Sequence, residues 1–140
     1  ELGLEPWDNN LNTKYLKEKY KNKKLPIKTV LLDQKIIVGI GNIYADEILF
    51  LGRINPLKQA FKLNEKELQS IIDNTKNVLE KAIKLGGTTI RSYESSEGVH
   101  GRFQNELLVH NKEICSKCNK KITKIRIGGR GTYYCENCQK

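Results

Sequence analysis

Long apolar runs are missing from this sequence. No stretch approaches the roughly 20 residues that a membrane-spanning helix needs, and the longest helical pattern, residues 64–85, is amphipathic. No membrane-spanning helix is expected in these residues. No secretory leader is visible, which disfavours a secreted fold stapled by disulfides. Methionine is absent and the chain opens at Glu1, as a fragment or a processed piece would. Proline occurs three times, at Pro6, Pro26 and Pro56, and acidic residues are outnumbered by basic ones, 16 to 25. The net charge of +9 favours an anionic partner, although Lys-rich surfaces also occur without one. A length of 140 residues with 38% hydrophobic content supports one domain or two small ones around a modest core.

Cysteine is scarce, and its placement is informative. All four cysteines fall into two Cys-x-x-Cys pairs, Cys115/Cys118 and Cys135/Cys138, with none left over. Each such turn aims two thiolates at one ion, and two turns side by side complete a tetrahedron. Four thiolates leave no open position for water, so the expected Zn2+ is one structural ion that folds its module. Two disulfides are the competing reading. A redox pair fits less well, because neither knuckle opens a helix in a βαβ unit.

The rest of the chain reads as helical. Residues 1–7 look like a linker end, and Asp8 or Asn9 is expected to cap a first helix reaching about Tyr20, with Leu11, Tyr15 and Leu16 on one face. A lysine run follows, in which Lys24 and Lys28 straddle Pro26 at the start of a short helix from Ile27 to about Gln34. Next comes Gly39-Ile40-Gly41-Asn42, leading into a helix with Ile43, Ile48 and Leu51 inward. Asn42 stands where a cap belongs, Asp46 and Glu47 suit the first turns, and Gly52 ends the helix. The glycines permit a tight turn with exposed backbone N–H groups, which is either a phosphate site or a turn needed for geometry alone. Asn64, Glu65 and Glu67 open the longest helix, whose inward set is Leu68, Ile71, Ile72, Thr75, Val78, Leu79, Ala82 and Ile83.

Residues 88–102 lack a period and form either a functional loop or a linker. Between the knuckles, Ile122, Ile125 and Ile127 suggest a strand, Gly128 to Gly131 a turn, and Thr132 to Tyr134 a returning strand. Arg130 then sits at the tip between glycines, free to fork onto a phosphate or simply solvated. The fold class expected is mainly α: a helical domain followed by a small β-hairpin four-cysteine zinc finger.

Three segments carry a resemblance. Leu31 to Gln34 with Val38 to Glu47, Gly86 to Tyr93 with Gly101 to Gln104, and Ile125 to Thr132 with Cys135 to Gln139 resemble, in that order, formamidopyrimidine-DNA glycosylases. That resemblance implies a helix–two-turns–helix DNA-binding domain over 8–87, a lesion-capping loop over 88–102 and a zinc-finger hairpin over 103–140. It implies a bacterial, cytoplasmic, monomeric base-excision-repair enzyme that works at the nucleoid. Such an enzyme removes oxidised purines (8-oxoguanine, formamidopyrimidines) from double-stranded DNA and nicks the abasic strand as an AP lyase. Residue by residue, Asn42 would bind a phosphate beside the lesion, and Lys24 and Lys28 would lie against DNA. Tyr93 would belong to the loop closing over the flipped base. Arg130 would grip phosphates and take part in the strand-cleaving elimination.

The chain also departs from that pattern. His110, Asn111 and Lys112 stand where the family usually has Tyr-Gly-Arg, and Ile114 replaces a proline. His110 reads as a packed or surface residue, not a fifth metal ligand. The family's nucleophile is an N-terminal proline amine, and the three prolines here are internal. The expectation is a DNA-gripping portion that binds without excising and needs a separate N-terminal catalytic half. Two alternatives are an endonuclease VIII-like relative and a stand-alone zinc-dependent DNA-binding module.

Overall fold

A computed structural model describes residues 1–85 and 105–140 of the chain. Four α-helices precede one antiparallel hairpin: α1 Thr13–Tyr20, α2 Ile27–Leu31, α3 Asn42–Leu51, a 3-10 turn Ala60–Lys62, α4 Glu65–Lys84, then β1 Thr123–Ile127 and β2 Arg130–Tyr134. The helical-plus-hairpin architecture read from the sequence is therefore present.

α4 forms for the reasons its sequence gives. The Asn64 side chain accepts from Glu67 N at 2.8 Å, and Glu67 Oε1 accepts from Asn64 N at 2.9 Å, a reciprocal capping box. Its apolar stripe is buried from Leu68 to Ala82, but Ile83, expected inward, lies at the solvent edge. The cap of α1 is Asn12, whose side chain accepts from Tyr15 N at 2.9 Å, and not Asp8 or Asn9. Asp8 instead accepts from Asn10 N in the preceding turn. The opening residues are tied down more than a linker end would be. Gly3 and Leu4 donate to Gln34 O and Ile36 O, and Val38 donates back to Leu4 O.

α3 is the central element, packing against α2, α4 and β2. Residues Tyr44 to Phe50 are buried without interruption. Gly52 ends the helix in a right-handed conformation, and the left-handed residue is Arg53, at φ 58°. Gly52 is required for a different reason: a Cβ there would come within 2.5 Å of Ser70 Oγ on α4.

Two apolar clusters result. The larger unites the four helices around Leu16, Ile48, Ile71 and Leu79 and contains no cysteine. The smaller gathers Val109, Ile122 and three cysteines around Phe50 of α3. Burying that phenyl ring contributes about 1.5–3 kcal/mol toward seating the finger on the helices.

The hairpin pairs Ile127 with Arg130 across a two-residue turn. Gly128 and Gly129 have φ values of 55° and 79°, the left-handed pair that a tight hairpin demands and that side chains resist. Arg130 is thus the first residue of the returning strand, not part of the turn.

Candidate nucleic-acid interface and metal centre

The cysteines converge as their spacing predicts. Their four Sγ atoms lie within 4.8 Å of one another. Cys115 and Cys138 are 3.8 Å apart and Cys118 and Cys135 are 3.6 Å apart. A tetrahedron with Zn–S bonds of about 2.3 Å has edges of roughly 3.8 Å, so the donor set fits one zinc ion. Lys117 N donates to Cys115 Sγ and Cys138 N to Cys135 Sγ, each at 3.4 Å. Burial pushes the Cys138 thiol up to about 12, while a hydrogen bond from the Lys120 backbone holds Cys118 down to about 6. Zinc bound by Cys115, Cys118, Cys135 and Cys138 supplies cross-linking of the module, and its closed thiolate set offers no site for catalysis.

The second knuckle is fastened to the helices by one side chain. Gln139, 1% exposed, accepts from Cys135 N at 2.8 Å and donates to Ile54 O at 2.9 Å. His110 takes no part in the metal site. Its Nδ1 lies 2.7 Å from Asp46 Oδ2, and its ring meets Tyr133 edge-on.

Asp46 and Glu47, expected in the first turns as complements to the helix dipole, occupy the middle of α3 and are buried. Glu47 accepts three backbone N–H groups, from Leu108, Val109 and His110, at 2.8–2.9 Å. Asp46 accepts Lys28 Nζ on Oδ1 at 2.6 Å, and Tyr133 N on Oδ2 at 3.2 Å. These two carboxylates are the residues that sequence reasoning missed. A signal was available: α3 is apolar on every side, so an acid inside it has no solvent face and must find donors.

Asn42 and Arg130, 88 residues apart, are brought together. Asn42 Nδ2 donates to the carbonyl of Gly131 at 3.1 Å, next to Arg130. Asn42 is the first residue of α3 and Gly41 is its cap, so the amide serves the finger and not its own helix. One amide hydrogen is used on Gly131, which leaves the second for a ligand. Gly41 offers no capping side chain, and the start of α3 carries no side-chain cap hydrogen bond. The turn before it is braced by Gln34, whose Oε1 accepts from Gly39 N at 2.8 Å. Arg130 is exposed, and its guanidinium has no partner among the described residues.

Lys24 is exposed just before α2. Lys28 is not: its ammonium is fully buried against Asp46 and Thr132 Oγ1, the latter at 2.9 Å. The expectation that Lys28 lies open toward a ligand is corrected on that geometry. Burial lowers its pKa and Asp46 opposes that shift, while the charge of Arg130 pushes in the same direction as burial. Tyr93 falls outside the described residues, as does the whole of 88–102.

Comparison with known proteins agrees with this geometry. Residues 2–94 match the formamidopyrimidine-DNA glycosylase H2TH domain, and residues 112–140 match the zinc finger found in FPG and IleRS. The chain is 46% identical over 141 aligned residues to the formamidopyrimidine-DNA glycosylase of Oceanobacillus iheyensis, covering 99% of this chain and 50% of that protein. For the Listeria monocytogenes protein of the same name the identity is 43%, covering 100% and 52%. Among solved structures, a complex between Lactococcus lactis Fpg and DNA containing an abasic site superposes with a TM-score of 0.85 at 43% identity, covering 99% and 51%. The chain spans about half the length of the curated relatives it matches. The two family matches take in most of the chain and the relatives align with 99% or more of it, and the chain belongs to the formamidopyrimidine-DNA glycosylase family.

Proposed function

We propose that these 140 residues are the DNA-gripping portion of a bifunctional glycosylase and AP lyase acting on oxidised purines in double-stranded DNA. The observation that carries this reading is the 3.1 Å bond from Asn42 to Gly131, which ties the start of α3 to the strand residue next to the exposed Arg130. An amide donor and an exposed guanidinium carried by two segments bonded to one another suit a phosphate better than a neutral ligand. The net charge of +9 suits a polyanion. In this reading Asn42 and Arg130 hold the backbone next to an extruded nucleotide, Lys24 adds a peripheral phosphate contact, and Tyr93 belongs to a loop over the flipped base. Lys28 contributes from beneath, by holding Asp46. α2 and α3, with the Gly39–Gly41 turn between them, form the helix–two-turns–helix element of the helical domain, 8–87, and 103–140 forms the finger.

Base excision itself rests, by family resemblance, on a proline amine in the half of the relatives that this sequence does not match. The protein is proposed to act as a monomer on the bacterial nucleoid. The test is fluorescence anisotropy of the zinc-loaded chain on a duplex carrying a stable abasic-site analogue, over a range of salt. Salt-dependent binding that prefers the abasic duplex to an intact one is expected. Equal affinity for the two duplexes would remove the lesion-side role, and absence of binding would remove the function.

A further inference from the structure

His110 has no task in the reading above. Four sulfur atoms complete the metal site without it. Yet its ring is one of three donors that meet on a single carboxylate. Lys28 of α2 reaches Asp46 Oδ1 at 2.6 Å, while His110 Nδ1 and the backbone N of Tyr133 reach Oδ2 at 2.7 and 3.2 Å. An ionised carboxylate only accepts, so the proton of the short His110 contact is on Nδ1. The imidazole is held from two other sides. Its own backbone N donates to Glu47 Oε2 at 2.8 Å, and its ring stands edge-to-face on Tyr133, with centroids 4.9 Å apart. Tyr133 is three residues from Arg130 on β2, and the residue between Arg130 and Thr132, Gly131, is the one that Asn42 grips.

A carboxylate at the middle of α3 thus aims at the hairpin that carries Arg130, and its rotation is set by the ring that pins Oδ2. We propose that His110 is a positioning residue of the DNA grip. Its N–H orients Asp46 so that Oδ2 receives Tyr133 N while Oδ1 keeps Lys28, which fixes the hairpin along α3 and holds Arg130 beside Asn42. The proposal rests on the DNA-gripping reading and adds to it a residue that touches neither DNA nor zinc.

The experiment compares zinc-loaded wild type with His110→Phe, His110→Gln, Arg130→Ala and His110→Phe/Arg130→Ala on an abasic-analogue duplex. Phenylalanine keeps a ring against Tyr133 and lacks the donor; glutamine keeps an N–H donor. His110→Phe is expected to weaken binding roughly tenfold, as loss of one bond to a charged group would. His110→Gln recovers most of that loss. In the Arg130→Ala background the same His110→Phe change has no further effect, because it acts through Arg130. Zinc content of one per chain in every variant is the check on folding. Full affinity of His110→Phe would overturn the proposal, and so would an equal loss in the two backgrounds. A wild type that binds no better than Arg130→Ala would be a different failure, removing the grip reading and this proposal with it.

Discussion

Lys28 Nζ lies 2.6 Å from Asp46 Oδ1 with both side chains fully buried, and the pair sits where α2, α3 and the hairpin meet. Two charges taken out of water cost more than a surface pair would, and the cost is offset only if every remaining donor and acceptor is used. Here it is: Thr132 Oγ1 takes a second Lys28 hydrogen and Gly131 O a third at 3.4 Å, and His110 and Tyr133 N occupy the other Asp46 oxygen. Because the partners come from both ends of the sequence, the pair registers the finger on the helices.

Asp46→Asn should therefore be costly out of proportion to its size. It leaves the Lys28 ammonium buried without a counter-charge, at about 3–5 kcal/mol. Lys28→Met combined with Asp46→Asn removes the stranded charge and should cost less than Asp46→Asn alone. Urea unfolding of wild type, Lys28→Met, Asp46→Asn and the double variant measures these quantities. Additive destabilisation in the double variant would show that the two side chains do not act as a pair.

Glu47 anchors the chain where it enters the finger. Glu47→Ala strips three backbone N–H groups of their acceptor, and each partly buried orphan costs about 1 kcal/mol or more. A loss of about 3 kcal/mol is expected, with faster amide hydrogen exchange confined first to Leu108, Val109 and His110. Unchanged exchange at those amides would mean that the segment is held by something else.

The sequence made some of this legible and hid the rest for identifiable reasons. The knuckles were legible because metal geometry is encoded in spacing, and α4 because its 3.6-residue period and its capping box agree. The hairpin followed from Gly128–Gly129, although the pairing register absorbed Arg130 and Gly131 into the strand. The cap of α1 was misplaced because Asp8, Asn9, Asn10 and Asn12 are all competent caps within five positions. Only packing of Leu11 and Leu16 selects Asn12. Lys28 was hidden by its company: six exposed lysines surround it between residues 14 and 24, and nothing local distinguishes the buried one. Its partners, Asp46 and Thr132, are 18 and 104 residues away. Asn42, expected as the cap of α3, bonds the finger through its amide instead and leaves Gly41 as cap.

Zinc removal should separate the two cores. Structural zinc contributes about 10–16 kcal/mol of apparent binding free energy, so chelation is expected to unfold the finger. The helical cluster contains no cysteine, and the far-ultraviolet helix signal should largely persist. The metal affinity should rise with pH. Burial holds the Cys138 thiol up to about 12 and raises Cys135 as well, so zinc must displace their protons near neutrality. Falling pH then favours the protonated, metal-free thiols, and below about 6 Cys118 joins them. Competition with a chromophoric chelator across pH measures this, and an affinity independent of pH would contradict it.

Asn42 and Arg130 can be told apart from structural residues by changes that leave the fold intact. Arg130→Ala removes an exposed side chain, so stability should move by less than about 0.5 kcal/mol. The slope of log affinity against log salt should fall by about one phosphate's worth, near 0.9. Asn42→Asp is the sharper probe. It gives up the bond to Gly131, worth about 0.5–1.5 kcal/mol, but places an anion at the start of α3, worth about 0.3–1 kcal/mol in return. The two nearly cancel in stability. For a phosphate ligand they do not cancel, because the last amide donor is replaced by a like charge facing the same anion. Asn42→Asp should therefore melt close to wild type and bind DNA more weakly than Asn42→Ala does. If Asn42→Asp bound DNA as well as wild type, the start of α3 would not be a phosphate site.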